Sequence, residues 1–244
     1  MKSKTWLILL AITSVLLFAY SGKFTSSSFS DGKSSTDNIL RVQISSFLGS
    51  ADNFVVLAGS GITNTGSTTI TGDVGTYSTT TETGFGSVTL IGTNHAGDSV
   101  TQAAKTDLTT AYNAAAGRTP VTVATELGGT SPVPGIYNSA DGMFVITGTL
   151  TLTGNATDVW IFQTATTLIT AVNSKIIMGG TAKAGNVYWV VGNSATLGTN
   201  TTFVGNILAL TSITLNTGAK VEGRTLARNG AVTLDTNSIT KPAP

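Results

Sequence analysis

Apolar and hydroxyl side chains alternate over short stretches in the C-terminal half of the chain. In TSITLNTG, Ile213 and Leu215 should point one way while Thr214 and Asn216 point the other, because successive side chains of a strand lie on opposite faces. VITGTLTLTG, at 145–154, has the same alternation. These segments predict short strands with one buried side and one solvent-facing side.

The alternating pattern returns at a regular interval between residues 194 and 240. Leu197, Leu215 and Leu234 are separated by 18 and 19 residues, and FVGNILA realigns with VEGRTLA at an offset of 18. A period of about 18–20 residues, with small, apolar and hydroxyl residues at fixed places, is typical of a β-solenoid whose coils stack on one another. The earlier strands DVWIFQTATTL and NVYWVVGNSATL match at offsets of 28 to 29, which indicates a coil with an insertion.

One segment, at 97–118, has helical periodicity. Its apolar stripe consists of Val100, Ala104, Leu108, Ala111 and Ala115. Asp98 or Ser99 is the expected N-cap and Gly117 the expected stop. A helix of about 18 residues is about 27 Å long, so it would bury one side of five or six stacked coils. The following segment, Thr119 to Pro134, is predicted to be the return loop. The predicted fold class is therefore all-β, a β-solenoid with one long α-helix packed alongside.

The N-terminus has the pattern of an exported protein. Lys2 and Lys4 precede an apolar run from Trp6 to Ala19, and small residues follow in AYS. This predicts a signal peptide over 1–21, since the run is short for a membrane span; an uncleaved membrane anchor is the alternative. The rest of the chain is predicted to be a Ser/Gly-rich linker over 22–47, a solenoid domain over 48–240 and a tail over 241–244.

Composition narrows the partners that the chain can have. Net charge is +1, only 10% of residues are charged, and there is no cysteine. Disulfides and thiolate metal sites are therefore excluded, and there is no basic footprint for nucleic acid. Arg224 and Arg228 are interpreted as exposed surface charges, and Trp160 and Trp189 as core residues.

The sequence does not indicate a catalytic or metal site. A catalytic role for His95, the single histidine, would need a nucleophile or carboxylate that the sequence does not identify. The carboxylates are dispersed, whereas a solenoid lyase or glycosidase would cluster them on one face. Asp73 and Asp98 are interpreted as turn and cap residues. We therefore expect a protein without enzymatic activity, cofactor, metal or small-molecule substrate.

Five motifs follow one another along the chain: ITNTGSTTITGDVGT, HAGDSVTQAAKTDLTTAYNAAAGR, PGIYNS, LTLTGNATDVWIFQ and VEGRTLARNGAVTLDTNSIT. Taken together and in this order, they resemble the microbial ice-binding proteins of cold-environment bacteria, fungi and algae. The resemblance covers about 48–240. It implies a discontinuous solenoid of triangular section, whose first strand segment joins coils formed mostly by the C-terminal part. It also implies that one flat face adsorbs to ice.

Members of that family often carry a four-residue pattern on the ice face: Thr, then Ala or Gly, then any residue, then Thr or Asn. TGST at 65–68 matches fully, whereas TNTT at 199–202, TGAK at 217–220 and TNSI at 236–239 depart from it. The resemblance gives as candidate ice-binding residues Thr65, Ser67, Thr68, Thr199, Thr201, Thr202, Thr217, Lys220 and Thr236. Because residues three apart in a straight strand face opposite sides, a bend or bulge must lie within the pattern.

A flat threonine surface has properties suited to ice. Its side chains recur at about 4.8 Å between coils and about 6.7 Å along a strand, spacings comparable with those of oxygens on an ice surface. The methyl group favours leaving liquid water, while the hydroxyl can hold ordered water. Restricted χ1 rotation keeps the array in place before adsorption.

The function expected from the resemblance is that of a secreted, extracellular and monomeric protein that binds ice crystals and inhibits their growth and recrystallisation. Membrane contact is expected only if the N-terminal segment is retained. The alternative is a cell-surface adhesin or envelope solenoid that binds polysaccharide or another protein. Since ice adsorption depends little on charge, it should survive high salt, whereas charge-assisted contacts should weaken.

Overall fold

The computed structural model describes residues 47–243. The predicted signal peptide over 1–21 and the predicted linker over 22–47, apart from Phe47, lie outside the described residues. The described residues form a β-solenoid of parallel strands with one α-helix, which confirms the predicted fold class. Among residues 47–243, no helix combines the length and hydrophobicity that a membrane span needs.

The solenoid has three faces, here named A, B and C. Face B consists of β2 (Gly61–Thr65), β5 (Glu82–Thr83), β9 (Phe144–Ile146), β12 (Leu168–Thr170), β15 (Ala195–Leu197), β17 (Ile213–Leu215) and β19 (Ala231–Asp235). Face A consists of β3 (Thr68–Thr71), β6 (Val88–Ile91), β10 (Thr149–Gly154), β13 (Lys175–Gly180), β20 (Ser238–Thr240) and the first halves of β16 (Thr202–Ala209) and β18 (Lys220–Ala227).

Face C consists of β1 (Phe54–Ala58), β4 (Asp73–Thr76), β7 (Val121–Val123), β8 (Gly135–Ser139), β11 (Trp160–Thr164), β14 (Val187–Val191) and the second halves of β16 and β18. These two long strands bend from face A to face C at Gly205 and Gly223, where φ is 109° and 159°. The helix α1 spans Ser99–Ala116, and short 3₁₀ turns span Gly49–Asn53, Phe85–Ser87 and Ala184–Asn186.

The coils are not stacked in sequence order. The coil formed by β1, β2 and β3 pairs with β18, β19 and β20, so the N-terminal strands extend the C-terminal end of the stack. β4, β5 and β6 add one further coil. The chain then passes through α1 to the other end of the stack, where β7 pairs with β8. The implied discontinuous solenoid is thus confirmed.

Two details of the predicted coils are wrong. The strands around Trp160 and Trp189, both fully buried as predicted, are offset by 27 residues and not by 28 to 29. Phe162 pairs with Trp189 and their rings stack at 4.3 Å, whereas an offset of 28 would place an inward side chain over an outward one. The predicted return loop from Thr119 to Pro134 instead adds a partial coil, because it contains β7 and a bridge from Glu126 to Val145.

The helix α1 packs on the outer side of face C. The Asp98 carboxylate accepts a hydrogen bond from the Thr101 backbone N–H at 2.8 Å, and the helix ends before Gly117. The predicted stripe is correct except at its start, since Val100 is 43% exposed and Thr101 is buried instead. Buried against the helix are outward residues of face C, namely Leu57, Ile161, Tyr188, Val190, Leu208 and Leu226. Face C is therefore closed to solvent along the helix.

Arg224 is buried at 4% exposure, so its prediction as an exposed charge is wrong. Its guanidinium forms an ion pair with the Asp52 carboxylate at 2.7 Å and donates to the Asp52 carbonyl and to the Asn206 side chain. The interaction links the 3₁₀ turn before β1 to strands that lie some 170 residues later in the chain. Arg228, in contrast, lies partly exposed over the Tyr112 ring at 4.7 Å.

The corner between face B and face A has a residue with positive φ in each of seven coils. These residues are Gly148, Asn173, Asn200, Gly218, Thr236, Gly66 and Gly84. A left-handed residue reverses the local direction of the chain without a long loop. In the fully matching motif, Gly66 lies between Thr65 and Thr68, so it supplies the bend that the four-residue pattern requires.

Replacing Thr236 by Asn should stabilise the protein. Thr236 has a φ of 54°, which is costly for a β-branched residue, whereas Asn tolerates this region and is the residue at the corresponding corners 173 and 200. We expect the free energy of unfolding to rise by about 1 kcal/mol. Urea denaturation of Thr236→Asn against wild type measures the change. The outward Thr233→Asn is the control, because its strand conformation offers no strain to relieve. Equal or lower stability of Thr236→Asn would contradict the interpretation.

The free energy of unfolding should rise with pH because Lys105 loses its proton more readily in the folded chain than in the unfolded chain. Its half-buried ammonium donates to the carbonyls of Ala227 and Arg228. This partial burial, together with the charge on Arg228, lowers the pKa of Lys105 to about 8. Between pH 8 and 10.5 the unfolded chain binds this proton while the folded chain does not, so the free energy of unfolding increases with pH in that window. We expect a rise of about 2 kcal/mol between pH 7.5 and 9.5.

Lys105→Met should abolish that part of the pH dependence. The test compares urea unfolding of wild type, Lys105→Met and the control Lys175→Met, whose side chain is exposed on face A. If Lys105→Met retained the wild-type slope between pH 7.5 and 9.5, the Lys105 ammonium would not be its source.

Candidate functional site

Face B carries a row of outward threonines at its centre. The registers pair Thr196 with Thr214, Thr214 with Thr233, Thr233 with Thr63 and Thr63 with Thr83. Each of these side chains is exposed or half-exposed. The five residues therefore form one ladder, here called the threonine ladder, with one rung per coil at about 4.8 Å.

Buried apolar side chains hold the ladder in place from below. In β17, Ile213 and Leu215 flank Thr214 and point into the core, and both are fully buried. The same alternation occurs in β15 and β19. Because these three strands are anchored on both sides of their threonines, Thr196, Thr214 and Thr233 keep their spacing when a crystal approaches the surface.

The hydroxyl groups of the ladder are available to solvent. Within residues 47–243, none of the five makes a side-chain hydrogen bond to another protein group. Thr217, at the corner, differs because its hydroxyl donates to the Asp235 carboxylate. The ladder hydroxyls can therefore bind water or ice without first breaking an internal hydrogen bond.

The ladder continues into apolar rungs at one end. Thr196 pairs with Ile169, which is 38% exposed, and Ile169 pairs with Val145. Thr167, Ser194, Ser212 and Ala231 lie two residues before the rungs at 169, 196, 214 and 233, on the side of the ladder away from face A. These rungs and the flanking column are uncharged, so this part of face B is a flat surface of methyl and hydroxyl groups.

Face A is open as well, but charged side chains interrupt it. One outward row runs through Thr149, Lys175, Thr202 and Lys220. The next row carries Glu222. A shallow cavity of about 410 Å³ lies over these charged rungs and extends to Ser238 and Thr240 of β20. Another, of about 390 Å³, lies beside the C-terminal end of α1. Both cavities lie off face B.

The predicted site residues lie mainly along the corner between faces B and A, not on the centre of one face. Thr65, Ser67, Thr199, Thr217 and Thr236 lie on this corner and are exposed or half-exposed.

The remaining predicted residues lie on face A or in the interior. Thr202 and Lys220 are outward residues of face A. Thr68 and Thr201 are 1% and 0% exposed, so their prediction as surface contacts is wrong. The reason is the left-handed residue within the motif, which changes the side to which the following residues point. The Thr201 hydroxyl, for example, bonds to that of buried Thr170 at 2.8 Å.

The ladder residues are absent from the predicted set, although the sequence contains a signal for them. Each of Thr196, Thr214 and Thr233 precedes a leucine of the 18- to 19-residue repeat. The alternation alone assigned Thr214 to the outer side of its strand. Thr63 and Thr83 can be assigned to the ladder only if β19 is known to pair with β2. The two strands are far apart in the chain, so local sequence does not show this pairing.

His95 has structural partners. Its Nδ1 atom lies 2.7 Å from the Asp98 carboxylate, and its ring contacts Phe54 edge-on at 5.5 Å. The N–H of Thr101 and then the bond with His95 lower the pKa of Asp98, which caps α1. Asp73 accepts from the Thr93 N–H. Within residues 47–243, no group of three or more His, Asp or Glu side chains is placed to hold a metal ion.

Solved structures of ice-binding proteins have the same fold. One, from an Antarctic biological consortium, superposes with a TM-score of 0.77 at 44% identity and covers 80% of this chain and 90% of the other. Another, from the Antarctic ascomycete Antarctomyces psychrotrophicus, gives a TM-score of 0.76 at 42% identity and covers 79% of this chain and 96% of the other.

Sequence comparison gives the same family. An ice-binding protein of Nostoc sp. (strain HG1) is 46% identical over 199 residues, which is 80% of this chain and 73% of the relative. An ice-binding protein of Flavobacterium frigoris (strain PS1) is 35% identical over 216 residues, 80% and 76% of the two chains. A family model described as ice-binding-like matches residues 56–240. This chain belongs to the ice-binding-like protein family.

Proposed function

We propose that the protein binds ice through face B and thereby inhibits the growth and recrystallisation of ice crystals. The observation that carries this proposal is the threonine ladder: five stacked, uncharged threonines with unbonded hydroxyls on a flat parallel sheet. Relatives at 46% and 35% identity carry the name ice-binding protein, which supports ice as the ligand.

The ladder lowers the free energy of adsorption in two ways. Removal of the methyl groups from liquid water is favourable, and the hydroxyls hold water in positions set by the coil spacing of about 4.8 Å. The stiff χ1 of threonine means that little side-chain entropy is lost when ice contacts the face. Since the rungs are uncharged, no tightly held hydration shell has to be displaced.

We also propose that the protein acts as a non-enzymatic monomer outside the cell. The N-terminal pattern of two lysines followed by an apolar run supports export. All five ladder threonines belong to one chain, and one face is sufficient to adsorb to a crystal. This supports action as a monomer. Adsorbed molecules pin the ice front without any chemical step.

A tyrosine in the ladder should impair ice binding. In Thr214→Tyr the ring would protrude from the middle rung and hold the neighbouring threonines away from a flat crystal. Each loss of about 1.4 kcal/mol in adsorption free energy lowers the adsorbed fraction about tenfold, and we expect at least that decrease in recrystallisation inhibition. Thr149→Tyr is the matched control, because Thr149 is an exposed outward residue of face A that pairs with Lys175.

Circular dichroism and thermal unfolding should show the wild-type fold in both variants. Full inhibition by folded Thr214→Tyr would exclude the ladder as the ice site. If folded wild-type protein did not inhibit but bound acidic polysaccharide at low salt, the adhesin alternative would replace the proposal.

A further inference from the structure

The last three rungs of face A differ in composition from the rest of that face. They belong to β20, β3 and β6, which pair in register at the N-terminal coils. The preceding rung, on β18, carries Lys220 and Glu222. Beyond it, the outward positions of the three strands carry only hydroxyl or aliphatic side chains.

Two short columns make up this area. In the first, Ser238 pairs with Thr69, and Thr69 with Thr89. In the second, Thr240 pairs with Thr71, and Thr71 with Ile91, which is 60% exposed. The rungs repeat at about 4.8 Å and the columns lie about 6.7 Å apart, as on face B. The hydroxyl patch is here defined as Thr69, Thr71, Thr89, Ser238 and Thr240.

The hydroxyl groups of the patch, like those of the ladder, are available to solvent. Across residues 47–243, none of its five hydroxyls bonds to another protein group. Thr68, one position before Thr69, differs from them because its buried hydroxyl oxygen accepts a hydrogen bond from the Asn237 backbone N–H at 3.1 Å. Charged residues border the patch: Lys220 pairs with Ser238 and Glu222 with Thr240. Lys241, which follows Thr240, is directed to the Asp52 carboxylate at 3.7 Å.

The patch and the ladder meet at one corner. Thr63 of the ladder and Thr69 of the patch belong to the same coil and are separated by the turn through Gly66. The exposed Thr65 and Ser67 lie on that turn, so hydroxyl residues continue from one face to the other. Two inclined surfaces of one molecule therefore present the same side-chain chemistry and the same coil repeat.

We propose that the hydroxyl patch is a second ice-adsorbing surface. The proposal rests on the proposed function, because it assigns to the patch the same ligand as face B. The patch has three rungs and face B has five threonine rungs, so its adsorption is the weaker of the two. A protein with two such surfaces attaches to crystal planes of more than one orientation.

The test uses fluorescently labelled protein adsorbed to a single ice crystal, on which the labelled planes are mapped. The variants are Thr69→Tyr in the middle of the patch, Thr214→Tyr in the ladder, and the double variant. Thr149→Tyr, on face A but outside the patch, is the control. Thr69 and Thr214 lie on different faces and share no partner, so their effects on independent surfaces should add.

We expect Thr69→Tyr to lose a subset of the planes that wild type labels, Thr214→Tyr to retain weak labelling of that subset, and the double variant to label none. Wild-type labelling by folded Thr69→Tyr, with no labelling by Thr214→Tyr, would overturn the second surface and leave face B as the ice site. If wild-type protein labelled no plane, the proposed function itself would fail, and the second surface with it.

Discussion

Each coil of this solenoid has to return to the register of the coil beneath it, because parallel strands pair residue by residue. The corner between faces B and A meets this requirement with a left-handed residue in seven coils, from Gly148 to Gly84. Once the register is fixed, paired residues of neighbouring coils point to the same side of the sheet. A given position of the coil therefore faces either inward or outward along the whole stack. The threonine ladder follows from this constraint, since a threonine at one outward position is repeated at the coil spacing.

The break in sequence order lengthens the ladder. The C-terminal coils supply Thr196, Thr214 and Thr233, and the row would end at β19 if the stack followed the chain. Pairing of β19 with β2 adds Thr63 and Thr83, and pairing of β20 with β3 creates the hydroxyl patch. The helix α1 makes this arrangement possible, because it connects the two ends of the stack and covers face C with its own apolar side. The ion pair of buried Arg224 with exposed Asp52 attaches the start of the N-terminal coils to the later ones.

Local sequence predicted the parts of the structure that depend on periodicity. Alternation gave the strands and the outward position of Thr214, and the helical stripe gave α1 with its cap at Asp98. It did not give the 27-residue register, which depends on the stacking of Phe162 on Trp189. Nor did it give the burial of Arg224, whose partner Asp52 lies far away in the chain. The family motif placed Thr68 and Thr201 on the surface, because a four-letter pattern does not show that the backbone turns within it.

The central claim is that an uncharged threonine face adsorbs to ice. Recrystallisation inhibition by the folded wild-type protein, measured at low and at raised salt concentration, tests it most directly. The account predicts inhibition at low protein concentration that salt leaves unchanged, since no charge lies among the ladder rungs. No inhibition from a folded, β-rich sample, or inhibition that disappears as salt screens charged groups, would contradict it.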